Sequence, residues 1–248
     1  MLIVLLCALG VGGATMFGGV VGFLFRKITH KASDAFLSFA AGVSIASAVL
    51  GLILPSLEYG GDLGIIVCIL GIFAGALCVN LLDKAVPFAY KFCGLDAGAT
   101  CDRGGKILVF VMAIAIHNLP EGIAAGVGFG SGDVEAGLLI ALGIAIQNIP
   151  EGMVIIAPML SVGISPPRTL LIALMTGLVE VVGTFIGYFA VSLSEAILPF
   201  SLAFAGGTML YVVSDEMIPE THGDGSEHIA TYCLLLGFSL MLFFSVVL

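Results

Sequence analysis

The sequence predicts an all-α integral membrane protein with eight transmembrane helices, on the basis of its composition, its apolar stretches and the placement of its basic residues. Of the 248 residues, 60% are hydrophobic and 10% are charged, and the mean hydropathy is +1.21. Soluble domains are closer to half apolar and a quarter charged, so the composition excludes an ordinary soluble protein. The chain has only 8 Lys and Arg residues, too few for a surface that binds nucleic acid.

The apolar stretches, separated by polar residues, glycine or proline, define eight candidate spans. A membrane-spanning helix needs about 20 apolar residues, and the remaining loops are short. The whole chain, 1–248, is therefore predicted to form a single polytopic transmembrane domain. The boundary between spans six and seven depends on the short polar break 192–195 alone. The spans lie near residues 2–25, 36–58, 63–83, 107–129, 137–160, 169–192, 196–218 and 229–248.

The basic residues predict the orientation of these spans. All of them fall in odd-numbered loops, and loops two, four and six contain none. Because basic loops stay in the cytoplasm, we expect both termini to be extracytoplasmic. The agreement also supports the number of spans, since a missed helix would scatter the basic residues over both faces. These residues are Arg26, Lys27, Lys31, Lys84, Lys91, Arg103, Lys106 and Arg168.

Spans four and five carry nearly the same ten residues. Residues 113–122 read AIAIHNLPEG and residues 143–152 read GIAIQNIPEG, with seven of the ten positions identical. Successive spans run in opposite directions, so the two copies are antiparallel and we expect them to face each other at mid-membrane depth. Interrupted helices at matching positions of a membrane protein indicate a binding site.

The polar positions of each copy share one face of their helix. At about 100° per residue, positions i, i+1 and i+4 fall at 0°, 100° and 40°, so the carboxylate lies between the other two side chains. The proline at i+3 has no N–H for the carbonyl four residues earlier, and we expect it to kink the helix and turn an oxygen towards the site. The polar residues are His117, Asn118 and Glu121 in span four and Gln147, Asn148 and Glu151 in span five, and the prolines are Pro120 and Pro150.

A third carboxylate, Glu180, lies deep in span six with no basic residue at that depth. Buried carboxylates without a basic partner are costly in hydrocarbon, and they must be protonated, hydrated or neutralised by a cation. Carboxylates, one imidazole and amide oxygens suit zinc and similar divalent ions. Two divalent ions beside three carboxylates leave one net positive charge, so the sequence predicts a mid-membrane metal site in which two ions are electrostatically reasonable.

Each of these residues has a simpler interpretation when it is taken alone. A single intramembrane His could hydrogen-bond a backbone carbonyl, and an isolated Asn or Gln more often joins helices than binds a metal. The duplicated motif, together with a glutamate on a neighbouring span, favours the metal site.

The motifs His117-Asn-Leu-Pro-Glu121-Gly and Gln147-Asn-Ile-Pro-Glu151-Gly resemble those of the ZIP (Zrt/Irt-like) family of divalent metal transporters, in its GufA-like branch. Eight spans with external termini match the layout of that family, so the resemblance covers essentially the whole chain. It implies one metal position formed by His117, Glu121, Gln147 and Glu151. It implies a second position formed by Asn118, Asn148 and Glu180, with Glu121 and Glu151 bridging the two.

The resemblance also implies a function. Zinc, and in some members iron, manganese, cobalt or cadmium, would move through the cell (inner) membrane towards the cytoplasm as a substrate, and the protein would have no cofactor and no enzymatic activity. A homodimer in the lipid bilayer is implied, with spans one, four, five and six moving against the others. The Gln at 147, where many relatives have His, could broaden the metal selectivity, and the neutral Asn148 lowers the negative charge of the second position.

Two other functions compete with transport by a carrier. An intramembrane metal-dependent hydrolase would use a metal-bound water, but only His117 lies inside a span and no HExxH pattern occurs. A metal-selective channel could use the same ligands. The loop 219–228, with His222 and His228, either receives metal at the cytoplasmic exit or is an ordinary solvated loop.

Overall fold

A computed structural model describes residues 1–24, 29–92, 118–161, 164–222 and 227–247. These residues are almost entirely helical, and none of them forms a β-strand, which confirms the all-α class. Six of the described helices are long and apolar enough to cross a membrane. The number of spans, eight, and their orientation stay predictions.

The first part of the chain forms three helices. Thr29 caps the second helix, because its hydroxyl accepts a hydrogen bond from the Ala32 N–H. A tight turn separates the second helix from the third, and it depends on Gly61, whose φ of 56° favours glycine. The helices are α1 (Leu2–Leu24), α2 (His30–Ala46, continuing through a π-helical segment Ser47–Ile53 and through Leu54–Tyr59) and α3 (Gly64–Phe92).

The second part of the chain forms five more helical elements in the described ranges. Gly132, with a φ of 82°, turns the chain between the fourth and fifth. The Asp133 carboxylate then caps the fifth by accepting from the N–H groups of Glu135 and Ala136. The elements are α4 (described over 118–130), α5 (Val134–Ser161), α6 (Pro166–Leu193), α7 (Leu198–Val212, continuing through a π-helical segment Val213–Met217 and through Ile218–Thr221) and α8 (Glu227–Val247).

The helix bounds differ from the apolar stretches in two ways. α2 begins at 30 rather than 36, and α3 continues to 92 rather than 83, because a helix can extend past the hydrocarbon layer that its apolar residues occupy. The two π-helical segments, Ser47–Ile53 and Val213–Met217, have no counterpart in the hydrophobic pattern, since they add a residue to a turn without changing the composition.

Close contacts at glycines bring α1, α4, α5 and α6 together. A Cβ on Gly12 would lie 2.3 Å from the carbonyl oxygen of Gly177, which places α1 directly against α6. A Cβ on Gly126 would lie 2.0 Å from the carbonyl oxygen of Thr184, which places α4 against α6. α1 also packs along α5, whereas α3 packs along α7 and α2 along α8. The candidate site lies within the first of these groups.

Candidate metal site

Three helices, α4, α5 and α6, bring the predicted polar residues together in the interior. Asn118, Glu121, Gln147, Asn148 and Glu180 are all at most 5% exposed. Glu151 follows one turn after Gln147 on α5 and is half-buried. His117 lies outside the described residues.

At one end of the cluster, Glu121 of α4 faces Gln147 of α5. The Gln147 amide Nε2 donates to Glu121 Oε1 at 2.6 Å. The other carboxylate oxygen, Glu121 Oε2, and the amide oxygen Gln147 Oε1 are buried and have no hydrogen-bond partner among the residues described. Buried polar oxygens without a hydrogen-bond partner are unfavourable in a low-dielectric interior, and carboxylate and amide oxygens are the kind of atom that a divalent cation binds.

At the other end, the Glu180 carboxylate of α6 accepts from three side chains on three other helices. Asn118 Nδ2 of α4 donates to Oε1, and Asn148 Nδ2 of α5 donates to Oε2 at 2.6 Å. Thr15 Oγ1 of α1 also donates to Oε1, at 2.7 Å. Both oxygens of this carboxylate are therefore engaged by hydrogen bonds.

Asn148 connects the Glu180 end of the cluster to α1. Its Nδ2 also donates to the carbonyl oxygen of Val11, at 3.2 Å. Its own amide oxygen, Oδ1, is buried and finds no hydrogen-bond donor in the described ranges. Asn148 thus adds a third unpartnered buried oxygen to those of Glu121 and Gln147.

The glycine that ends each motif lets a neighbouring backbone approach. A Cβ on Gly122 would lie 2.2 Å from the carbonyl oxygen of Glu180, and a Cβ on Gly152 would lie 2.1 Å from that of Thr15. These glycines set α4 against α6 and α5 against α1. The motif therefore supplies both the polar side chains and the close approach that brings them together.

Two of the glutamates, Glu121 and Glu180, are paired with amides. Within the described part of the chain, no three His, Cys, Asp or Glu side chains form a group that could hold a metal ion by themselves. Glu121 is bonded to Gln147, and Glu180 to Asn118 and Asn148. Each primary amide carries a donor and an acceptor on opposite sides of one rotatable bond, so a half-turn would exchange the N–H that holds a carboxylate for an oxygen.

The prolines do not interrupt the described helices. α5 stays helical from Val134 to Ser161, straight through Pro150. The missing N–H at Pro150 still leaves the carbonyl of Ile146 without its usual donor from that position. The corresponding carbonyl at Ile116 lies outside the described residues, so the expected kinks stay predictions.

Thr15 and Val11 are the residues that the sequence analysis missed. Thr15 is the only hydroxyl-bearing residue of α1, and a lone polar side chain in an apolar span is a recognisable signal. The Val11 carbonyl carries no such signal, because any backbone oxygen can accept a hydrogen bond where the helices happen to meet.

The histidines of the 219–228 loop do not belong to this cluster. His222 Nδ1 lies 2.9 Å from the carbonyl oxygen of Ile218, and Nε2 lies 3.4 Å from Thr231 Oγ1 on α8. The ring therefore bridges the end of α7 and the start of α8. His228 is exposed on α8.

Comparisons with known proteins find zinc transporters along most of the chain. The family described as "ZIP Zinc transporter" matches residues 96–245. The zinc transporter GufA of Myxococcus xanthus is 37% identical over 245 residues, which is 96% of this chain and 96% of that protein. The zinc transporter ZIPB of Bordetella bronchiseptica is 37% identical over 93% of this chain and 76% of its own length. The zinc transporter ZupT of Chlorobium chlorochromatii is 31% identical over 93% of this chain and 91% of its own.

Proposed function

Because the chain belongs to the ZIP zinc transporter family, we propose that it carries divalent metal cations, zinc first among them, across the cell membrane towards the cytoplasm. The observation that carries the proposal is a set of three buried oxygens on α4 and α5 that have no hydrogen-bond partner in the described ranges. They are Glu121 Oε2, Gln147 Oε1 and Asn148 Oδ1, and none has a donor among the described residues. The metal is the substrate, and the proposal needs neither a cofactor nor an enzymatic step.

The first metal position consists of His117, Glu121, Gln147 and Glu151. The open oxygens of Glu121 and Gln147 are its ready ligands, because a cation there needs to displace no bond to those two atoms. His117 directly precedes Asn118 in the sequence and would add a nitrogen ligand. Imidazole and carboxylate suit zinc, and an amide oxygen at 147 admits harder ions such as manganese.

The second position consists of Asn118, Asn148 and Glu180, with Glu121 and Glu151 bridging to the first. Occupying it requires the two asparagine amides to release Glu180 and turn their oxygens inwards. Asn148 Oδ1 is already unpartnered, so turning this amide towards a metal costs only the hydrogen bonds that its Nδ2 donates to Glu180 and Val11. We therefore expect the first position to fill before the second.

The proposed setting is a homodimer in the inner membrane, with eight spans in each protomer and both termini outside. The basic residues in odd-numbered loops support this orientation. A reporter enzyme that is active only outside the cytoplasm, fused after Leu248, should be active. Activity of a cytoplasmic reporter at the same point would refute the orientation.

Zinc uptake into proteoliposomes tests the function. The variant Glu121→Gln keeps the shape of the side chain and removes its charge, and it should lower the zinc uptake rate by about a hundredfold or more, as expected for losing a charged ligand. Glu135→Gln, at an exposed carboxylate on the same helix pair, is the matched control and should transport normally. Full uptake by Glu121→Gln would contradict the proposed site.

The same assay separates a carrier from a channel. A carrier binds and releases its substrate in each cycle, so the initial rate should saturate with zinc concentration. A rate that rises linearly, together with measurable conductance, would favour a metal-selective channel.

A further inference from the structure

We propose that Thr15 is a positioning residue, whose hydroxyl holds the Glu180 carboxylate in place for a cation at the second metal position. The inference rests on the proposed function, because it assumes that this position binds a metal. Thr15 is only 2% exposed and Glu180 is fully buried. The hydroxyl oxygen of Thr15 lies 2.7 Å from Glu180 Oε1.

Thr15 differs from the other buried threonines that the structure describes. A threonine in a helix usually donates its hydroxyl to a carbonyl three or four residues earlier in its own chain segment. Five buried threonines do so, whereas Thr15 donates across to another helix. The five are Thr169, Thr176, Thr184, Thr208 and Thr221.

The backbone around Thr15 is held close to the site on two sides. Its carbonyl oxygen lies where a Cβ on Gly152 of α5 would be only 2.1 Å away. One turn earlier, a Cβ on Gly12 would lie 2.3 Å from the carbonyl oxygen of Gly177 on α6. These contacts fix the backbone of α1 against α5 and α6, and so fix the point from which the Thr15 side chain reaches Glu180.

The hydroxyl becomes more important when a cation arrives. In the structure, Glu180 accepts from Asn118, Asn148 and Thr15. If the two amides turn their oxygens to a metal, they withdraw their N–H donors, and Thr15 is the donor that remains of the three. A donor behind a metal-binding carboxylate fixes its orientation, and removing such a donor typically costs 10–100-fold in metal affinity.

Three variants separate this role from simple packing. Thr15→Val keeps the branched shape and removes the hydroxyl, and Thr15→Ser keeps the hydroxyl and removes the methyl. Thr208→Val is the matched control, because Thr208 is equally buried but donates to Ala205 of its own helix, α7. The measurement is a calorimetric titration of the purified full chain in detergent with zinc, repeated with cadmium.

We expect two binding events in the wild type. Thr15→Val should weaken the second event by about 10–100-fold and leave the first within about threefold. Thr15→Ser and Thr208→Val should behave like the wild type. The inference is overturned if Thr15→Val binds both ions with wild-type affinity, or if both binding events weaken equally in that variant. It is also overturned if Thr15→Ser shows the same loss as Thr15→Val. A wild type that binds one ion or none would instead refute the proposed second position itself.

Discussion

The two ends of the buried polar cluster use the same chemistry but differ in how their carboxylates are satisfied. Glu121 accepts from the amide of Gln147, and its second oxygen has no donor among the described side chains. Glu180 accepts from three side chains, and both of its oxygens are engaged. The Glu121 end is therefore open to a cation, whereas the Glu180 end must first give up hydrogen bonds.

The difference has an energetic consequence. A buried acceptor without a donor costs about 1–3 kcal/mol, and more when it is charged, so a cation at Glu121 removes an existing penalty. A cation at Glu180 replaces hydrogen bonds that are already good. We therefore expect the donor arrangement around each carboxylate to decide which position fills first.

Neutralising Glu121 and Glu180 one at a time should change the zinc affinity more than any other substitution. It is also the most severe test of the difference between the two ends of the cluster. Glu121→Gln should weaken binding of the first zinc by about a hundredfold or more. Glu180→Gln should leave that event within about threefold, because Glu180 is a ligand of the second position only. Zinc titration of the purified variants measures both. An equal loss in the two variants would mean that the cluster acts as one site.

A larger distance between α1 and α5 should weaken metal binding at the Glu180 end of the cluster. Gly152→Ala places a Cβ 2.1 Å from the Thr15 carbonyl oxygen, and such overpacking costs about 1–3 kcal/mol of folding stability. The same change should weaken the second metal-binding event and spare the first. Gly13→Ala is the control, because its Cβ meets nothing within 4 Å. Thermal unfolding in detergent gives the stability. An unaltered Gly152→Ala protein would show that α1 is not held against α5 as described.

Replacing the amide ligand at the Glu121 end should alter the selectivity between metals more than the overall rate of metal uptake. Gln147→His replaces an amide oxygen with imidazole nitrogen, which favours zinc over manganese, and we expect the ratio of their uptake rates to rise by about tenfold. Asn118→His offers the same group at the Glu180 end and serves as the comparison. Competition between the two metals in proteoliposomes measures the ratio. No change in Gln147→His would argue against residue 147 as a ligand.

The sequence analysis predicted the all-α membrane class from composition, and it predicted the cluster of Asn118, Glu121, Gln147, Asn148 and Glu180 from the repeat and from a lone carboxylate in an apolar span. The motif places its polar residues on one face whatever the rest of the fold does. The pairing of amides with carboxylates could not be predicted in this way, since it depends on the distance between helices.

The role of α1 also needed the structure. Thr15 lies 165 positions before Glu180 in the chain, and the contact is set by glycines on three different helices. The π-helical segment Ser47–Ile53 was missed for a related reason, because one extra residue in a turn leaves no trace in composition or hydropathy.

The central claim is that a cation enters at the open end, and anomalous X-ray diffraction from crystals grown with one equivalent of zinc tests it directly. The account predicts a single zinc peak bound by Glu121 Oε2 and Gln147 Oε1, with Asn118, Asn148 and Thr15 still donating to Glu180. A first zinc bound to Glu180 and Asn148, with the bond between Gln147 and Glu121 intact, would contradict it.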